Sequence, residues 1–407
     1  MAAELVEVEG HIIDSLILAK ILDLIVAAGA DYRMVDVEIG RTNADASRAR
    51  LEVVSDDHDS LAALLEELQV HGANRVAELD ATLVACAGDG VLPAGFYATT
   101  NLPTQVRVDG RWWATVNPEM DCALVVTADQ PPVVSTVPMH RVKAGALVVT
   151  GGDGVRVTAP ERPRGSTPFA FMASEVSSEK PKSVLVAEVA QRLRDNRRRG
   201  GRLLAVCGPA VVHTGAATDL ALLVREGWVD VLFAGNGFAA HDIEADVLGT
   251  SLGVSVDAGT SSEGGHSNHL RVINEVRRWG SIEAAVGGGY VNGGVMYECV
   301  TAGVPFVLGG SVRDDGPLPG VRTDVVAAVD EMRGHVPGVT VALMLASTLH
   351  AIATGNILPA SVETYCVDIN QAVVTKLADR GSRQALGIVT DVGLFVRDLA
   401  GRLRTDG

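Results

Sequence analysis

The sequence predicts an α/β protein: a C-terminal doubly wound, Rossmann-like parallel-sheet domain, preceded by a ferredoxin-like βαββαβ domain and a small β-rich subdomain. Three observations carry that expectation. Over residues 166–407, near-continuous apolar runs alternate with helix-length amphipathic segments, the pattern of a parallel sheet covered on both faces. Over residues 1–93 the hydrophobic period switches between 2 and 3.6 in the order βαββαβ. Residues 94–165 hold only short alternating runs broken by turn residues.

In the first segment, ELVEVEG, YRMVDVEIG, RARLEVVS and NRVAELDATLVAC read as strands, and IIDSLILAKILDLIVAAG and SLAALLEELQVHG as helices. Gly29 and Gly72 stand where helices stop, since glycine accepts the left-handed backbone of a C-terminal cap. The middle segment offers TQVRVDGRWWATV, CALVVTADQPPVV and GALVVTGGDGVRVTAP. Within it, Asp109-Gly110 and Asp153-Gly154 are expected as hairpin turns, because both central positions of that turn need positive φ. Pro160, Pro163, Gly165 and Pro168 make a stiff connector. The last segment carries six strands: RLLAVCGPA, VDVLFAGNG, VPFVLGGSV, VTVALMLAS, SVETYCVDI and ALGIVTDVG.

Composition narrows the function. Fifty acidic against 34 basic residues give a net charge of -16, which argues against nucleic acid or an anionic membrane surface as partner and suits a small cationic substrate. The five cysteines, Cys86, Cys122, Cys207, Cys299 and Cys366, are scattered and never in CxxC spacing, so a reducing cytoplasm is expected and no disulfide framework. Glu4, Glu7 and Glu9 precede the first apolar run, and Lys20 and Asp23 interrupt the next, so neither a signal peptide nor a spanning helix is expected. No GxSxG elbow, P-loop or HExxH stands in the chain.

In open parallel sheets, ligands bind outside the carboxyl ends of the strands. Here those ends are glycine-rich or acidic: Gly208-Pro209, Gly235-Asn236-Gly237, Gly309-Gly310-Ser311, Asp368 and Asp391. GNGFAA matches GxGxx[GA] between strand and helix, where backbone can approach a pyrophosphate; a plain strand-to-helix turn is the competing explanation. The elbow also follows the domain's second strand, so a standard dinucleotide fold is not assumed. The helix beyond it carries a histidine and two acids, in AAHDIE. Asp368 and Asp391 can each take ribose hydroxyls, or simply cap the helices that follow. Ser347-Thr348-Leu349-His350 can grip a nucleotide through backbone amides, or form a cap with a core histidine. In SVRDDGPLPG, Arg313 can hold a carboxylate bidentately and an adjacent acid can orient an amine or act as a base. Glu263, His266 and His269 in EGGHSNH fall short of a metal-ligand count, so no metal is expected, and Cys299 reads as a core residue.

VEVEGHIIDSLILAKILDLIVAAG, TTNLPTQVRVDGRWW, PEMDCALVV, GPAVVHTGAATDL, FAGNGFAAHDIE, GGVMYECV, SVRDDGPLP and CVDINQAVVTKLADRGSRQALGIVTDVG together resemble one family over essentially the whole chain. It is the archaeal-type ornithine cyclodeaminase family, whose N-terminal part takes its name from a conserved region of the bifunctional lysine-ketoglutarate reductase/saccharopine dehydrogenase (LOR/SDH) enzymes. The same module resembles the C-terminal half of cyanobacterial arginine dihydrolase fusions; the dihydrolase domain itself is absent, so no arginine hydrolysis is implied.

The resemblance implies a tightly held NAD and conversion of L-ornithine to L-proline with release of ammonia; a homo-oligomer is expected as well. It implies cofactor contacts at Asn236, Gly237, Asp315, Ser347, Thr348, Leu349, His350, Asp368, Asp391 and Val392. Gly237 stands where some relatives carry alanine, which alters how closely the backbone approaches. Such a cycle needs a carboxylate clamp, a base for an amine and exclusion of water. Arg313 is the expected clamp and Asp314 the acid/base group, with Glu298 as a second candidate. Two other functions share parts of this pattern: an NAD-using aminobutyl-transferring synthase, and a non-catalytic NAD or amino-acid sensor.

Overall fold

The computed structural model describes residues 1–13, 15–42, 45–158, 182–252, 254–255, 267–314, 316–379 and 385–404. The chain divides into two compact units, Met1–Ala173 with Leu358–Ala360, and Ser174–Ile357 with Ser361–Gly407.

The first unit opens with β1 (Ala2–Gly10), α1 (Ile17–Ala27), β2 (Asp31–Glu38), β3 (Ser47–Ser55), α2 (His58–Gln69) and β4 (Asn74–Arg75). The strands form one antiparallel sheet in the order β2-β3-β1-β4, that of a ferredoxin-like split βαβ. Its core follows from two periods. Val6, Val8, Ala49, Leu51 and Val53 alternate inward from β1 and β3, and Ile17, Ile21 and Ile25 recur at four-residue spacing along α1. Leu61, Leu64, Leu65 and Leu68 give α2 its buried stripe, and the Asp57 side chain caps it by accepting the Ser60 N–H at 2.8 Å. Gly29 and Gly72 take positive φ beyond the two helices, as expected.

A seven-stranded sheet follows, built from β5 (Thr82–Ala85), β6 (Thr104–Val108), β7 (Arg111–Val116), β8 (Ala123–Val126), β9 (Val134–Val137), β10 (Leu147–Thr150) and β11 (Val155–Val157), in the order β11-β6-β7-β9-β8-β10-β5. Asp109 and Gly110 turn β6 into β7 with φ of 51° and 73°, the hairpin geometry expected of them. Two expectations fail here. NRVAELDATLVAC is two strands in two sheets: its start pairs with β1, whereas Glu78 and Asp80 ion-pair with Arg107 of β6 and draw the chain into the second sheet. Asp153-Gly154 does not close a hairpin either. β10 is already paired on both edges, by β5 and β8, so β11 pairs with β6 instead. The connector prolines and Gly165 lie outside the described residues.

The second unit begins with α3 (Lys182–Arg198), β12 (Arg202–Cys207), α4 (Ala210–His213), α5 (Ala217–Arg225), β13 (Val231–Gly235) and α6 (Asn236–Leu248). A short hairpin of β14 (Thr250–Ser251) and β15 (Val254–Ser255) leads to α7 (Asn268–Trp279), α8 (Ile282–Gly287), α9 (Gly294–Ala302) and β16 (Phe306–Gly309). The chain ends through α10 (Val325–His335), β17 (Val339–Leu345), α11 (Leu349–Ile357), β18 (Glu363–Asp368), α12 (Gln371–Asp379), β19 (Ala385–Val389) and α13 (Val392–Arg404).

Each of the six apolar runs expected as strands is one strand of a fully parallel sheet, ordered β16-β13-β12-β17-β18-β19. This is the Rossmann order, with the topological switch point between β12 and β17. Helices α3, α5, α9 and α13 pack among themselves, as do α10, α11 and α12. Both faces of the sheet are apolar, so Leu204, Ala205, Val206, Phe233, Ala342 and Leu343 are almost wholly buried without any alternation.

One buried acid fastens this layer. Asp242 of α6 is 1% exposed and accepts the N–H groups of Val295 at 3.0 Å and Met296 at 2.8 Å, which begin α9. Burial raises its pKa to about 7, even though both bonds favour the charged form. The native chain therefore holds a proton that the unfolded chain has lost, from about pH 4 upwards. Stability should fall as pH rises through that window, by at most about 1.4 kcal/mol per pH unit, and level off above pH about 7. Denaturant midpoints measured across this range for wild type and Asp242→Asn check the expectation: the variant should lack the slope.

Candidate active site at the carboxyl edge of the parallel sheet

Where β12 and β17 diverge, their backbones nearly touch. The Gly208 N–H donates to the Leu345 carbonyl at 2.9 Å, and a Cβ on Gly208 would stand 1.8 Å from the Ala346 oxygen. Glycine is thus required by close approach, not by turn geometry. Ala346 itself takes φ of 47°, a left-handed backbone that turns Ser347 inward and starts α11. Ser347 is buried, Thr348 and Leu349 are exposed, and His350 turns back over the sheet.

His350 explains two of the glycine-rich ends. A Cβ on Gly235 would meet its Cε1 at 2.9 Å, and one on Gly309 its Nε2 at 3.1 Å, so the ring lies across the ends of β13 and β16. Burial lowers the pKa of His350, opposed by the charge of Asp314. Asp314 holds its own loop: its Oδ2 accepts the Ser311 N–H at 2.8 Å. Asn236, buried at the start of α6, accepts the Leu318 N–H at 2.9 Å through Oδ1 and ties the elbow to the far end of the same loop. Gly237 makes only ordinary contact with Pro209. The Arg313 side chain is exposed, and Asp315 lies outside the described residues.

At the other end of the sheet, Asp368 is buried and its Oδ1 accepts the Asn370 N–H at 2.8 Å. Asp391 caps α13 by accepting the Leu394 N–H at 2.9 Å, beside the buried Val392. Asp391 therefore makes the capping contact expected of it, whereas Asp368 turns the chain to Asn370, whose own Oδ1 accepts the Ala372 N–H and caps α12; among the described residues neither acid's Oδ2 has a hydrogen-bond partner.

The structure brings together the ends of β12, β13, β16 and β17, with Asp314 beside His350, but not Glu298. That carboxylate is buried in α9 and accepts the Arg225 Nε–H at 3.1 Å. Arg225 ends α5, just before β13 begins, so the pair belongs to the amino side of the sheet. Its buried pairing is reason enough for an acid there. Cys299 is a core residue whose thiol burial holds well above its ordinary pKa. Cavities of about 290 and 260 Å³ beside Trp228 also open at the amino ends of β12 and β13, away from these loops.

A group that sequence reasoning left unassigned lies next to the elbow: His213, His241, Glu244 and His269. The only signal for it was the three-residue spacing of His241 and Glu244 on one helix face. Of the candidate metal motif, Glu263 and His266 lie outside the described residues, and His269 packs against His241. Among the described residues no group of three His, Cys, Asp or Glu side chains is arranged to hold a metal ion.

Known families match the chain in three consecutive segments. Residues 3–102 match the LOR/SDH bifunctional enzyme conserved region, 103–186 the first region of the ArgZ-like arginine dihydrolase C-terminal part, and 187–399 its Rossmann fold. An ornithine cyclodeaminase of Methanopyrus kandleri is 50% identical over 98% of this chain and 97% of its own length. That of Methanothermobacter thermautotrophicus is 48% identical over 96% and 95%. The crystal structure of ArgZ, an arginine dihydrolase from the ornithine-ammonia cycle in cyanobacteria, superposes with a TM-score of 0.86 at 37% identity over 99% of this chain. The chain spans 58% of that longer protein. A ternary complex of AgrE with ornithine and NAD+ is 40% identical over 99% of this chain and 57% of its own, with a TM-score of 0.53. With near-complete matches at such identity, a Rossmann order and glycine-lined loops at its switch point, the chain belongs to the archaeal-type ornithine cyclodeaminase family.

Proposed function

We propose that this protein converts L-ornithine to L-proline and ammonia, using NAD as a cofactor that ends each turnover unchanged. The main support is the full-length match to proteins named for this activity, joined to a parallel sheet whose switch point carries polar loops. The residues present fit a dinucleotide. Asp368 and Asp391 each keep one carboxylate oxygen for ribose hydroxyls, Gly208 brings backbone to the crevice, and Asn236 stands at the N-terminus of α6. Bound NAD would supply a hydride acceptor that gives the hydride back within the same turnover.

The chain's own residues have three tasks. Asn236, Gly237, Asp315, the turn from Ser347 to His350, Asp368, Asp391 and Val392 would hold the cofactor. Arg313, exposed in the loop after β16, would take the substrate carboxylate in a fork of two hydrogen bonds. Asp314 would move a proton at a substrate amine, since its Oδ1 is not used in holding the Ser311 turn. Five buried free thiols and the absence, among the described residues, of any helix long and apolar enough to cross a membrane are compatible with a cytoplasmic enzyme, which we propose to be homo-oligomeric.

The activity is tested by incubating the protein with L-ornithine and substoichiometric NAD and quantifying proline and ammonia by mass spectrometry. Proline in large molar excess over NAD, with no net reduced cofactor, is expected. Net reduced cofactor would mean an ordinary dehydrogenase, and tight NAD binding without product a synthase or sensor. Two variants divide the roles. Asp368→Ala should weaken NAD binding by roughly tenfold or more, as loss of a charge-assisted hydrogen bond implies. Asp314→Ala should bind NAD as wild type does and lose about 10²-fold or more in kcat. Calorimetric titration and steady-state rates read these outcomes.

A further inference from the structure

Three histidines from three helices meet beside the start of α6. His213 closes α4, His241 lies five residues past Asn236 on α6, and His269 is in the first turn of α7. The His213 and His241 ring centroids are 5.0 Å apart with planes at 62°, and those of His241 and His269 are 5.8 Å apart. Glu244, with no exposed surface, has its Oε2 2.8 Å from His241 Nδ1. It also accepts the Thr250 hydroxyl at 2.8 Å, and Asn268 Nδ2 donates to that hydroxyl oxygen at 2.9 Å. His213 Nδ1 stands 2.7 Å from the Ser251 hydroxyl oxygen.

Burying an acid costs several kcal/mol unless its partners replace water, and an apolar core would not need it. A carboxylate on Nδ1 fixes one tautomer of His241 and steadies the ring, the role an acid plays behind a catalytic histidine. Position agrees with chemistry. α4 and α6 leave the carboxyl ends of adjacent strands, β12 and β13, and His241 lies about 7.5 Å along its helix from Asn236. Asn236 at the start of α6 and Asp391, which lies close to Thr214 at the end of α4, are both proposed cofactor contacts, and they border the histidines on the carboxyl edge of the sheet.

Resting on the function proposed above, we infer that His213, the most exposed of the three residues, accepts a proton from the substrate's α-ammonium, and that His241, oriented by Glu244, is its positioning residue. With its Nδ1–H donated to Ser251, His213 presents the Nε2 lone pair. The α-ammonium gives one proton to Nε2, and the resulting neutral amine can release a hydride from its carbon to the bound cofactor. Once the δ-amine has added to that carbon, the same proton passes to the departing nitrogen, which leaves as ammonia, and His213 is neutral again. Asp314 then serves the δ-ammonium.

Burial lowers the pKa of His213 and the neighbouring His241 lowers it further, against the opposite pull of Glu244. These groups of α6 face it, His269 of α7 stands behind His241, and on the α13 side Asp391 caps its helix close to Thr214. A neutral ring at pH 7 follows, with loss of activity in acid as the ring takes up a proton.

The test is the pH dependence of kcat for ornithine with saturating NAD in wild type, His213→Gln, His213→Ala and His241→Gln. His213→Gln should lose 10²- to 10⁴-fold in kcat, by the usual weight of a general base. Ornithine KM and NAD affinity should stay close to wild type, and the acid limb of the profile should disappear. Added imidazole should restore part of the rate of His213→Ala. His241→Gln should move the acid limb to higher pH, because a group that depresses His213 is gone; a merely structural role would leave the limb in place. Normal kcat and an unmoved limb in His213→Gln would overturn the assignment while leaving the cyclodeaminase function standing. No proline from wild type would overturn both.

Discussion

The second unit depends on how closely β12 and β17 approach at the switch point. Parallel strands must diverge there for loops to leave in opposite directions, yet Gly208 and Ala346 remain in backbone contact at the point of divergence. That contact leaves no room for a side chain at position 208 and accompanies a left-handed backbone at Ala346. The direction of α11, and with it the reach of His350 over β13 and β16, follows from this. Everything at the carboxyl edge is placed relative to a seam made of main chain alone.

In the second unit, acids are used in two ways. Asp242 and Glu298 are buried with partners and join helices: one receives the first N–H groups of α9, the other the guanidinium that ends α5. Asp314, Asp368 and Asp391 instead stand at strand ends, each spending one oxygen on its own loop or helix. Residue type alone does not separate the two groups. The separation lies in whether the carboxylate joins two helices or turns the chain at a strand end, which only the packed structure decides.

Much of the fold was legible because its signals are local. Continuous apolar runs announce strands covered on both faces, and six of them in alternation with helices announce a parallel sheet. The split of NRVAELDATLVAC was hidden, since what parts it is an ion pair to Arg107 some 30 positions away. Asp153-Gly154 failed as a hairpin for a similar reason: the edge it needed was taken by β5 and β8. At the site, the strand-end residues were found through the rule that ligands collect there. His213 was not, because its neighbours His241 and His269 come from other helices and no sequence spacing links the three.

The ring of His350 lying on Gly235 and Gly309 also constrains how this protein can change over generations. An alanine at either glycine presses on the imidazole and needs it to shift, whereas a smaller residue at position 350 would first open the space for it. The three positions form an epistatic set in which the order of substitution matters. While the histidine stays, a side chain at either strand end requires the ring to shift, and replacing the histidine relieves two positions that were not themselves altered.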